Sequence, residues 1–117
     1  MQVNKTNGKT FIEGTLIQVL IKNERDAVDV IGFCGEHEAI GVLLYLKNLP
    51  EDFFDLNSGQ LGTIIQKFVT YYLKVALVLS PEFVKSRFKK FAAESNRGNH
   101  FRTFYNRVDA VEWLAKN

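Results

Sequence analysis

The apolar positions of this chain change their period several times, and each change marks a new element. Residues 2–6 and 9–13 are β-favouring and flank Asn7-Gly8, a pair that accepts the positive φ angles of a tight hairpin turn. Two short antiparallel strands are expected there, with residues 15–21 extended beyond Gly14. From Asn23 the period becomes helical. Asn23 can cap, Glu24 and Asp26 suit a first turn, and Ala27, Val28, Ile31 and Cys34 recur on one face, with Gly35 near the end. Residues 40–46 (IGVLLYL) form a continuous apolar run that reads as a strand buried on both faces.

After the Leu49-Pro50 turn comes the clearest amphipathic pattern. Leu61, Ile64, Ile65, Phe68, Val69 and Tyr72 follow helical spacing. Residues 74–79 (KVALVL) give a second buried strand. Ser80-Pro81-Glu82 supplies a cap, a first-turn proline and an acid for a further helix. Its inner face would hold Val84, Phe88, Phe91 and Ala92, and Gly98 would end it. Residues 100–105 alternate as a strand, and residues 107–115 close the chain as a helix with Val108, Val111 and Leu114 inward. The order ββαβαβαβα predicts a single α/β domain over residues 1–117. Its sheet is mostly parallel with an antiparallel N-terminal edge.

Composition narrows the function classes. The 117 residues are 46% hydrophobic with ten Phe, enough for a core without staples. No apolar run approaches the ~20 residues of a membrane span, and the polar first ten residues lack a signal-peptide core. The single cysteine, Cys34, leaves no internal disulfide and fits a reducing compartment, so a cytoplasmic protein is expected. The net charge of +2 is uneven. Residues 1–58 carry five Lys/Arg against nine Asp/Glu (−4), and residues 59–117 carry ten against four (+6). Such a gradient steers a partner or merely solvates one helix face.

Ser58 is the leading candidate for chemistry. It stands in Asp55-Leu56-Asn57-Ser58-Gly59-Gln60-Leu61-Gly62, after a strand and before a helix, where ligands of open α/β sheets gather. A helix start favours negative charge, so Ser58, Gly59 and Asp55 could meet an anion or a phosphoryl group; alternatively Ser58 or Asn57 simply caps the helix. The polar stretch Glu94-Ser95-Asn96-Arg97-Gly98 is a second candidate, either as helix termination or as an interaction surface through Glu94, Asn96 and Arg97. Topology puts it at the opposite edge from Ser58. Phe53 and Phe54 are core or an exposed patch for a partner.

Other chemistries fare poorly. Lys85, Arg87, Lys89 and Lys90 surround Phe88 and Phe91, but those rings match the buried stripe, so a solvated face is expected rather than nucleic-acid binding. Two histidines and one cysteine do not furnish a four-ligand structural zinc site. Ser58, His100 and Asp109 lack the Gly-x-Ser-x-Gly elbow of a hydrolase triad. Gly59 and Gly62 make neither a dinucleotide fingerprint nor a phosphate-binding loop. No cofactor, metal or catalytic set is expected. Cys34 reads as a small buried hydrophobe.

Over nearly its full length the chain resembles a family of small bacterial proteins of unknown function. The resemblance rests on Phe53-Phe54-Asp55-Leu56, Ser58-Gly59, Gly62, Gln66-Lys67-Phe68 and Glu94-Ser95-Asn96-Arg97-Gly98. That family commonly has Glu after the second glycine, where this chain has Thr63. More distantly it is similar to STAS domains, the SpoIIAA-like fold of anti-sigma-factor antagonists, through the same element order and an Asp-Ser-Ser-Gly-Leu-Gly motif opening a helix. In those domains the serine before the first glycine is phosphorylated by a partner kinase, and the phosphate blocks partner binding. Ser58, Gly59 and Gly62 take the matching places, while Asp55 is one residue further upstream and Gln60 is inserted. The resemblance implies a non-enzymatic regulatory or protein-interaction module, with a protein partner bound at this rim; separately, an edge strand or the Phe53-Phe54 region could form a symmetric dimer. A small anionic-ligand domain is the alternative.

Overall fold

A computed structural model describes residues 1–15, 18–54, 59–80 and 98–116, with the side chain of Phe54 outside the described set. Strands β1 (Gln2–Thr6) and β2 (Lys9–Glu13) precede helix α1 (Glu24–Glu36) and strand β3 (Gly41–Tyr45). Two short 3-10 turns, Leu46–Asn48 and Glu51–Phe54, lead toward helix α2 (Gln60–Thr70) and strand β4 (Lys74–Val78). Strand β5 (Phe101–Phe104) and helix α3 (Arg107–Ala115) follow. The helix expected around Pro81, Val84 and Phe88, its basic run from Lys85 to Lys90, and Glu94, Asn96 and Arg97 all lie outside the described residues.

The five described strands form one mixed sheet in the order β1-β2-β3-β4-β5. β1 and β2 pair antiparallel from Gln2↔Glu13 to Thr6↔Lys9, and the remaining pairs are parallel. Asn7 and Gly8 close the hairpin with φ of 50° and 78°, the double positive that the Asn-Gly pair favours. The expected antiparallel edge on a parallel sheet is therefore present.

Side-chain alternation along the strands divides two cores. Ile12, Val42, Leu44, Val75, Leu77 and Phe101 face α1 and α2, which bury Ala27, Val30, Ile31, Cys34, Leu61, Ile64 and Phe68 against them. Phe11, Leu43 and Ala76 face the other way, under Ala110, Trp113 and Leu114 of α3. The helical stripes are rotated relative to the sequence expectation. Val30 is buried in place of Val28, which is 50% exposed, and Ala110 in place of Val108, which is 65% exposed. β-branched residues at the outer positions satisfied the apolar count without facing the core.

Both α1 and α2 end in the same way, with a non-glycine residue where glycine is usual. Glu38 has φ 54°, and the N–H groups of Glu38 and Ala39 reach back to Gly35 and Cys34. Tyr72 has φ 60°, and the N–H groups of Tyr72 and Leu73 reach back to Val69 and Phe68. α2 thus stops at Thr70, and Tyr72, expected on its buried face, is 88% exposed.

The segment after Gly14 forms no strand among its described residues. One buried side chain satisfies it instead. Asn48 Nδ2 donates to the carbonyls of Thr15 (2.5 Å) and Gln18 (2.9 Å), and its Oδ1 accepts from the Tyr45 N–H (2.7 Å). Its own carbonyl accepts from Leu20 and Ile21.

Candidate functional site

Of the residues expected at the start of α2, Gly59 is the one among the described residues. α2 follows β3, so its first turn opens near the carboxyl edge of the sheet. The residue in the capping position is Gly59, in the left-handed region at φ 70°, rather than Ser58 or Asn57. Glycine occupies that conformation without the Cβ penalty serine would carry, which is why the helix starts one residue later than a serine cap would place it. Gly59 is exposed and offers no side-chain cap; the Thr63 N–H and hydroxyl both donate to its carbonyl, at 3.1 and 3.0 Å. Asp55 and Ser58 lie outside the described residues.

Along Gln60, the first residue of α2, runs a cleft of about 460 Å³. The head of α1 contributes Lys22, Asn23 and Glu24; the first turns of α2 contribute Gln60, Thr63 and Ile64; and Phe53 lies between them. Phe53 is only 2% exposed and belongs to the larger core. Of the two readings of Phe53, core is correct and surface patch is not: the 3-10 turn that carries it points the ring inward beneath α2. Asn23 caps α1 as expected, its Oδ1 accepting from the Asp26 N–H at 3.0 Å, while Asp26 accepts from the Lys22 N–H at 2.9 Å. Lys67 and Glu24 approach to 3.9 Å across the two helices, with both side chains well exposed, so this pair adds little.

A second polar cluster, which sequence reasoning missed, sits on the α3 face of the same edge. Glu13, at the end of β2, is 8% exposed yet carries a full set of donors. Arg107 meets it with Nε and Nη2 (2.9–3.2 Å), Tyr45 donates its hydroxyl at 2.6 Å, and Asn4 donates from Nδ2 at 2.7 Å. Burial pushes the Glu13 carboxyl up, but the Arg107, Tyr45 and Asn4 bonds outweigh it and hold the group below its ordinary value. Burial and the Glu13 charge push the Tyr45 phenol up to about 12. A carboxylate so occupied, beside a phenol held protonated, is a structural anchor rather than a general base at neutral pH. The only signal in the sequence was Glu13 directly following Phe11-Ile12, where alternation alone demands no acid.

The remaining candidates separate. His100 precedes β5 and Asp109 follows it, so the strand stands between two members of the rejected triad. Among the described residues no group of three His, Cys, Asp or Glu side chains is placed to hold a metal ion. Cys34 is 1% exposed, and burial raises its thiol to about 11. No helix among the described residues is long and apolar enough to cross a membrane.

Comparison with protein families matches residues 6–114 to the family described as "Domain of unknown function (DUF4180)". Comparison with curated proteins and with solved structures finds no match.

Proposed function

The chain belongs to the DUF4180 family, and within it we propose a non-enzymatic, cytoplasmic regulatory module of STAS-like fold that binds a protein partner through the rim at the start of α2. The observation that carries this reading is Gly59, an exposed, left-handed capping residue that has no side chain of its own to cap the helix. Ser58 directly precedes it in the sequence, and Asp55 stands three positions before Ser58. Apart from the helix between β4 and β5, whose residues lie outside the described set, the described elements follow the order the STAS resemblance implies, which supports the fold part of the proposal.

In its sharper form, Ser58 is a phosphoacceptor. A phosphate there carries about −1.5 to −2 charges, favoured by the positive end of α2 and repelling an acidic partner surface. Glu94, Asn96 and Arg97 are proposed as a separate contact patch, and a second copy of the chain is one candidate partner. Phe53 has no part in the surface because it is core. Phosphopeptide mapping after incubation with host-cell kinases tests the switch. The expected result is modification at Ser58; a thorough map without it removes the switch from the proposal.

The cleft between the heads of α1 and α2 favours a second reading, a small anionic ligand held at the α2 start with Lys22 on the rim. A thermal-shift panel of phosphate, nucleotides and organic acids distinguishes the two. A concentration-dependent rise in Tm supports ligand binding, and a flat response across the panel excludes it.

A further inference from the structure

Helix α3 is fastened to the sheet by a charged side chain at each end. A helix favours acids at its N-terminus and cations at its C-terminus. α3 has an Asn106 cap and Asp109 in its first turn, but its first residue is a cation, Arg107, and its last turn has no basic residue. The sheet answers both. At the first residue of α3, Glu13 of β2 takes the Arg107 guanidinium in a two-pronged contact of 2.9–3.2 Å. At the far end, Lys74 of β4 donates from Nζ to the Lys116 carbonyl at 2.8 Å and the Trp113 carbonyl at 3.5 Å, with the Trp113 ring centroid 5.2 Å away.

Between these ties Ala110, Trp113 and Leu114 rest on Phe11, Leu43 and Ala76, with Ile40, Tyr45, Val78 and Phe104 packed at the margin, a cluster separated by the sheet from the larger core of α1 and α2. Nine residues are too few to hold a helix alone in water. The stability of α3 as a helix and its docking are therefore one event.

We propose that α3 is a strap, fastened at one end by Glu13 and at the other by Lys74, that lifts from the sheet as a unit while the sheet, α1 and α2 stay folded. Opening removes the two ties together with the separate core beneath them and uncovers Phe11, Leu43 and Ala76. Nothing in the larger core is broken by it. Stability in a domain is distributed in such cooperative units.

Native-state hydrogen exchange on the intact chain tests this directly. In the wild type, amides of residues 110–115 are expected to exchange faster than those of β3 and β4. Glu13→Gln should accelerate the α3 amides by roughly tenfold or more, the scale of losing charge-assisted hydrogen bonds, with β3 and β4 changed less than twofold. Lys74→Gln, altered at the other end, should do the same and supplies the readout should the Glu13 variant fold poorly. Equal protection of α3 and the central strands in the wild type, or equal acceleration of both in the variants, overturns the strap.

Discussion

Gly14 and Asn48 share a space that only one side chain can fill: a Cβ at position 14 would be driven into the Asn48 carboxamide. Asn48 is fully buried, and its side chain and carbonyl together engage Thr15, Gln18, Leu20, Ile21 and Tyr45. This one residue shapes the segment that carries Lys22 and Asn23 to the cleft. Asn48→Ala leaves buried donors and acceptors unmet and is expected to cost about 2–4 kcal/mol in denaturant unfolding. Gly14→Ala is expected to cost about 2 kcal/mol or more through the clash. A change below about 0.5 kcal/mol in either would contradict the arrangement.

The Glu13 cluster predicts a pH dependence with a definite sign. The folded-state pKa of Glu13 lies below its ordinary 4.5, so its contribution is complete above that value and drains away as the pH falls through the depressed one. Glu13→Gln should flatten the acid limb of a Tm-against-pH curve. Tyr45 runs the other way. Its phenol is raised from 10.0 to about 12, so stability is lost as the pH rises through that interval, and Tyr45→Phe should remove the loss. Superimposable curves for the wild type and both variants would refute the cluster.

The left-handed ends of α1 and α2 carry strain that glycine relieves. Tyr72→Gly and Glu38→Gly are each expected to stabilise by up to about 1 kcal/mol, the Cβ penalty less the added freedom of the unfolded chain. Thermal or urea melts measure it. Clear destabilisation at either position would mean that the side chain contributes more than its backbone costs.

Cys34 should be inert. With the thiol buried and its pKa near 11, a thiol-reactive dye should fail to label the native protein on a timescale that labels the urea-unfolded chain completely. Rapid native labelling would place Cys34 at a surface.

Local rules carried most of the fold. Asn7-Gly8 dictates its hairpin through backbone sterics, Asn23 caps α1 within three residues, and the apolar runs of β3 and β4 permit little besides buried strands. What local reading missed depends on distance. Glu13 and Arg107 stand 94 positions apart, and Asn48 meets Thr15 across 33, so no window of sequence contains either partner set. Val28 and Val108 show a different failure: helical spacing fixes a stripe only to within one residue, and packing chose Val30 and Ala110. At the rim, the two glycines and the hydroxyl were legible as a helix start, but spacing alone did not mark Gly59, in the left-handed region, as the capping residue.

The proposed function meets its most direct test in quantitative capture of partners from the native host with three forms of the full chain. The account predicts a partner set held by the wild type and by Ser58→Ala, and reduced at least about tenfold by Ser58→Glu, which carries a fixed negative charge at the rim. Recovery of the same proteins at the same levels by Ser58→Glu and the wild type would contradict it.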